Sequence, residues 1–182
     1  ARPGAASIMC GSVVDIMPCH RGADACFLDL LASVDGVTQS DSDGAGIHID
    51  CDNQIQGQCR MRLCTPDDIV RFAAAVDVAQ PPGDASHRVV SVTLMRHNRG
   101  NDSVKVNTLQ FVELAGVERA AASGVAGPPN GPSSGLSHFR ICMLRAAECL
   151  KSGRPLQGAT PGSSPIEYKR FAITRILSGT IL

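Results

Sequence analysis

The run Phe111-Val112-Glu113-Leu114-Ala115-Gly116 ends an apolar strand pattern on an acid and a glycine. A carboxylate there can hold a magnesium-bound water, and a glycine amide can approach a terminal phosphate with no side chain in the way. That is the chemistry of a γ-phosphate sensor, although a plain strand-to-loop turn can show the same residues. Cradling the other phosphates takes a loop of the form G-x-x-x-x-G-K-[ST]. The only lysines are Lys105, Lys151 and Lys169, and none follows a glycine, so this chain has no such loop. His20 and Cys26 with Cys19 or Cys10 make the nearest approach to a metal-ligand set, but their spacings match no closed tetrahedral pattern and no metal is assigned. The eight cysteines include no C-x-x-C, and Cys142 and Cys149 lie inside an apolar helical pattern. They read as free thiols in a reducing compartment rather than as a disulfide framework.

The elements that must position these residues can be read around them. Arg88 to Met95 and Val104 to Leu114 are β-branched runs flanking the turn cluster His97 to Asp102, which predicts a β-hairpin delivering Glu113 to a strand end. Thr65-Pro66-Asp67-Asp68 starts a helix: Thr is the N-cap, Pro takes the first helical position and the two Asp meet the positive end of the dipole. Ile69, Phe72, Ala73 and Val76 share its apolar face, and it ends before Pro81. Further helices are predicted from about Leu136 to Lys151 and from Tyr168 to Leu177. Ser7 to Met17 reads as a strand running into a short helix, and Ile47 to Leu63 as small strands and turns. Val34 to Gly46, Ala120 to Gly135 and Ser152 to Pro165 are Gly-, Ser- or Pro-rich connections.

At 182 residues the chain can bury one α/β core. With no Trp and one Tyr, that core must be built from Val, Ile, Leu and Ala. The zero net charge is unevenly spread: 5 Arg against 12 Asp up to Asp84 give −7, whereas 7 Lys and Arg against 2 Glu from Ser137 onward give +5. A basic last third suits an acidic partner, or is simply a set of solvated helix faces. No stretch is long and apolar enough to span a membrane, and neither a nucleic-acid nor a membrane partner is assigned.

Several strings resemble the kinesin motor domain in order and spacing. Glu113 to Arg119 (E-L-A-G-V-E-R) is similar to the switch II string D-L-A-G-S-E-R. Ser86-His87, followed by its β-branched run, resembles the end of the switch I string S-S-R-S-H. Ile166-Glu167-Tyr168-Lys169 with Ile173-Thr174-Arg175-Ile176-Leu177 is similar to I-P-Y-R-D-S-K-L-T-R-L-L, the most specific of the matches. The predicted helix through Phe139 to Leu150 takes the place of the kinesin helix after switch II. Val13-Val14-Asp15-Ile16-Met17 resembles V-x-D-L-L, and Thr65 to Val76 resembles the helix before switch I.

The resemblance implies an α/β fold, a mixed central sheet flanked by helices on both faces, of the P-loop NTPase-like kinesin type but without its N-terminal strands and phosphate loop. Residues 1–182 would form one partial motor domain, with a switch I region at 83–95, a switch II region at 111–119 and microtubule-facing helices at 136–151 and 166–178. It further implies ATP and Mg2+ as the family's cofactors. Asp84, Ser86, His87, Glu113, Ala115, Gly116 and Glu118 stand at the nucleotide-side positions. Arg140, Arg145, Lys169, Arg170 and Arg175 are the candidates for contact with microtubules, in the cytoplasm on the cytoskeleton.

The departures bear on function. Asp84 and Ala85 stand where switch I carries Ser and Arg, so Glu118 lacks the arginine that kinesins pair with it, and Glu113 replaces the switch II Asp. Phosphoryl transfer depends on positioning, so hydrolysis by this chain alone is not expected. No catalytic residue is assigned. The loss of the phosphate-loop strand would leave an exposed sheet edge beside Phe111 and Val112 unless a partner or an upstream segment covers it. A divergent motor domain, a non-catalytic microtubule-associated adaptor and an inert scaffold with this fold are the readings to separate. A G-Q-T-G-x-G-K-T-like stretch upstream of Ala1 would favour the first.

Overall fold

In a computed structural model, the chain is described over residues 5–17, 26–34, 46–77, 86–115, 132–153 and 166–181. The strands are β1 Ala5–Met17, β2 Cys26–Asp29, β3 His48–Ile49, β4 Ile55–Gln56, β5 Met61–Arg62, β6 His87–Asn98 and β7 Ser103–Glu113. The helices are α1 Pro66–Val76, α2 Pro132–Ser152 and α3 Ala172–Ile181, with a 3-10 turn at Tyr168–Arg170.

The main sheet runs β2-β1-β6-β7, with β5 also paired to β1, while β3 and β4 form a separate two-stranded sheet. Every pairing among the described residues is antiparallel. The expected hairpin is present, with Asn98 opposite Ser103 closing it and Arg88 opposite Glu113 at its far end. Its turn is tighter than the sequence pattern suggested, because His97 and Asn98 remain in β6. Asp102 takes φ 49°, a left-handed conformation that Asp tolerates better than most residues.

The sheet's two faces carry two cores. Val14, Ile16 and Val89 face Ala172, Ile173, Ile176 and Leu177 of α3, with Val112 packed alongside. Val13, Val90 and Val92 face Phe72 and Ala75 of α1, with Leu31, Met61 and Leu63 filling the layer. Helices therefore flank both faces, as the α/β reading expects. Alternation along β1 and β6 sends neighbouring valines to opposite layers, and burying each contributes roughly 1.5–3 kcal/mol. A smaller cluster of Cys142, Ala146, Ile166 and Tyr168 joins α2 to the 3-10 turn.

Three element predictions are corrected. The short helix expected near Met17 is absent: β1 stays extended because residues Ala5 to Ile16 all pair with β6, and ladder hydrogen bonds outweigh local preference. α2 begins at Pro132, so the end of the predicted Gly/Pro-rich connection is helical, and proline at a helix start loses no hydrogen bond. The predicted helix from Tyr168 to Leu177 is split, since Phe171 is extended at φ −132°, ψ 145°. The buried Thr174 hydroxyl stabilises that break by donating to the Tyr168 and Phe171 carbonyls at 2.7 and 2.8 Å.

α1 forms as its sequence dictates. The Asp68 amide donates to Thr65 Oγ1 at 3.2 Å and the Thr65 amide to Asp68 Oδ2 at 2.9 Å, a reciprocal capping box behind Pro66. Gly153, at φ 64°, ends α2 in the left-handed conformation that glycine adopts without strain. Among the described residues, no helix is long and apolar enough to cross a membrane.

Candidate functional site

The hairpin brings together the start of β6 and the end of β7, the places where the sequence suggested switch chemistry. Ser86 and His87 are buried, whereas Glu113 is exposed and Ala115 half-buried. Asp84, Gly116 and Glu118, and with them Ala85, lie outside the described residues. So do Cys19 and His20 of the considered metal set, and most of the Val34 to Gly46 and Ser152 to Pro165 connections.

One hydrogen bond ties the two ends directly. The Ala115 amide donates to His87 Nδ1 at 3.1 Å, so that nitrogen carries no proton and a neutral ring holds its proton on Nε2. Burial pushes the His87 imidazole below its usual value, because the charged ring would lose its hydration. The bond closes the turn after Glu113 onto the head of β6.

Beside it, on the α1 face of the sheet, lies a charged pair that the sequence reading missed. Arg88 Nε donates to Asp15 Oδ1 at 2.8 Å and Nη2 to Oδ2 at 2.9 Å, a two-point contact with both side chains buried. Arg88 Nη1 also donates to the Val76 carbonyl at 2.6 Å, at the end of α1. The cross-strand register places Asp15, Arg88 and Glu113 in one row over β1, β6 and β7. The Asp15 hydrogen bonds push the Arg88 guanidinium further above its already high value, and Asp15, Glu113 and Asp77 all add attraction. A signal for the pair was present. Val13-Val14-Asp15 and His87-Arg88-Val89 each set a charge inside an apolar run, and a charge that must be buried needs an opposite one. Nothing local says that residues 73 apart will meet.

Among the described residues, the Ala115 amide is committed to His87 and Arg88 is neutralised by Asp15, so neither is open to a phosphate, whereas Gly116, whose amide the sequence places nearest a terminal phosphate, lies outside them. No step through ATP is derived from this arrangement.

The second candidate surface is formed by α2 and the 3-10 turn. Arg140 and Arg145 are exposed on α2. Among the described residues, the ion pairs are Arg88–Asp15 and His97–Asp102, so no acid neutralises either arginine. Arg170 is exposed, with its guanidinium 5.8 Å from the Phe171 ring centroid. The side chain of Lys169 lies outside the described set. Arg175 is turned inward: it is half-buried, and its Nη2 donates to the Ile49 and Asp50 carbonyls at 3.4 and 3.3 Å, docking the β3–β4 hairpin on α3. Asn53 Nδ2 donates to Ser178 Oγ at 3.0 Å in the same junction. α2 is held to the 3-10 turn by His138 Nε2, which donates to the Glu167 carbonyl at 2.7 Å, and by the His138 ring lying 5.3 Å from Phe171.

No protein-family model matches the chain. Among curated proteins it is similar to the kinesin-like protein KIFC2 of Homo sapiens, 28% identical over 105 residues, which is 58% of this chain and 12% of that protein. Among solved structures it resembles the C-terminal motor and motor homology domain of Kar3Vik1 fused to a synthetic heterodimeric coiled coil, with a TM-score of 0.62 and 17% identity over 98% of this chain and 44% of that one. A fast kinesin gives a TM-score of 0.62 and 19% identity, covering 98% of this chain and 47% of its own. The motor domain of the Kar3-like kinesin from Ashbya gossypii gives 0.56 and 17%, covering 98% and 50%. The chain thus spans about half of each solved motor and a small part of the curated relative. What these likenesses show is the fold, a divergent and partial version of the kinesin motor.

Proposed function

We propose that this divergent kinesin motor-like domain attaches to microtubules through α2 and the 3-10 turn, and does not turn over ATP by itself. The observation that carries the reading is the exposure of Arg140 and Arg145 on α2, with no neutralising acid among the described residues. They stand in a C-terminal third of net charge +5, which suits an acidic track. Arg170 extends the cationic surface, whereas Arg175 acts inside the fold. The absence of turnover is supported by the missing phosphate-loop string and by the commitment of the Ala115 amide to His87. Any hydrolysis would need phosphate-binding groups supplied from outside these residues. The site of action would be the cytoskeleton in the cytoplasm.

Co-sedimentation with microtubules tests the proposal. The chain is expected to pellet with microtubules at low salt and to be released as salt rises, because exposed charges are screened. Reversing both charges, Arg140→Glu with Arg145→Glu, is expected to weaken the pelleting about tenfold. Equal amounts in the supernatant with and without microtubules would overturn it.

A further inference from the structure

The outer edge of β7 offers an independent reading. Among the described residues β7 pairs only with β6, so its eleven residues present a backbone edge about 37 Å long with no partner strand. Apolar side chains along it stand open on both sides of the sheet. Val104 and Val106 are 58% and 59% exposed on one face, and Leu109 and Phe111 are 58% and 57% exposed on the other. The edge carries one cation, Lys105, and one anion, Glu113, both exposed. They share a face, because residues eight apart in a strand point the same way.

We propose that a second copy of this chain pairs with this edge, β7 against β7 in antiparallel register about a two-fold axis through Leu109. The charges select that register. With Leu109 opposite its own copy, Lys105 of each chain lies opposite Glu113 of the other, so both ion pairs form at once. Moving the axis by one residue either way sets Lys105 opposite Phe111 or Ala115 and leaves Glu113 without its cation. In the selected register Val106 meets Val112 of the second copy on the other face, an apolar cross-strand pair. The interface is isologous, as a two-fold requires, and it joins the two sheets into one. The chain's net charge of zero means that no overall repulsion opposes the approach of two copies.

Sedimentation velocity on the full chain, from about 1 to 100 µM, tests this. The 19.0 kDa chain is expected to pass from monomer to a species of twice that mass within the range. Lys105→Glu alone sets two carboxylates against each other at both ends of the interface, and Glu113→Lys alone sets two ammonium groups. Cross-strand charge pairs are individually weak but occur twice here, so each single reversal is expected to raise the dimer Kd about tenfold. The double reversal Lys105→Glu with Glu113→Lys restores both pairs, and its Kd is expected to return to within about threefold of the parent. Leu109→Lys places two ammonium groups on the axis and should leave a monomer, with circular dichroism checking that it remains folded. A parent that stays monomeric to 100 µM would overturn the proposal. So would a dimer indifferent to Leu109→Lys, or a double reversal no better than either single one.

Discussion

His87 accepts the Ala115 amide through Nδ1, so protonation of that nitrogen and the closed turn exclude each other. Burial holds the ring's pKa below its usual value, which fixes the sign of the pH effect. Stability from His87 is fully present above the ordinary histidine value and is lost as pH falls through it, since the unfolded chain takes up the proton first. Between about pH 7.5 and 5.5 the melting temperature should therefore fall, because the unfolded chain takes up a proton that the buried ring does not. His87→Asn keeps an acceptor without the titration and should flatten that fall; an unchanged slope would remove His87 as its source. The Asp15–Arg88 pair obeys a different rule, that one buried charge without its partner costs more than neither. Asp15→Ala should lower the unfolding free energy by about 3–5 kcal/mol in urea, while Asp15→Val with Arg88→Met should recover most of it. Equal losses in the two variants would show that the pair is not coupled.

At the scale of elements, a close approach between β1 and α1 sets how α1 lies on the sheet. A Cβ on Gly11 would stand 2.5 Å from Phe72 Cε2, so the ring packs where only glycine leaves room. Gly11→Ala is expected to cost about 1–3 kcal/mol through overpacking, measured by denaturant unfolding. Gly11→Ala with Phe72→Leu should cost less than the sum of the two single changes, because the shorter side chain vacates the contact. The elements also show why parts of the sequence pattern misled. The helix expected near Met17 yields to twelve cross-strand pairs with β6, and the last helix breaks at Phe171 because Thr174 bonds back to the preceding turn. The start of α1 was legible because its capping box is built from neighbours in sequence.

For the whole molecule, the described half of the motor fold keeps cores on both sheet faces and the cationic α2, and it commits the groups nearest its strand ends to one another. A ligand that binds the native state raises its melting temperature by mass action. ATP with Mg2+ at about 1 mM is therefore expected to shift this chain by less than about 1 °C in differential scanning fluorimetry, because its affinity would be too weak to register. A clear rise would show that nucleotide-binding groups are assembled here after all. Association at β7 belongs to the same scale, since an open apolar edge concerns the whole sheet.

Local and short-range chemistry was readable in the sequence by itself. The N-cap of α1, the β-branched hairpin, the basic last third, the missing phosphate loop and the kinesin-like strings from Ser86 to Leu177 all rest on neighbouring residues or on composition. Only the tertiary structure decided which distant groups meet. It joined Asp15 to Arg88 across 73 positions, turned Arg175 inward onto the β3–β4 hairpin and set His87 beneath the Ala115 amide. The physical reason is the same in each case. A buried charge or polar group must find a partner, but sequence spacing does not record which one the packed chain will bring within reach.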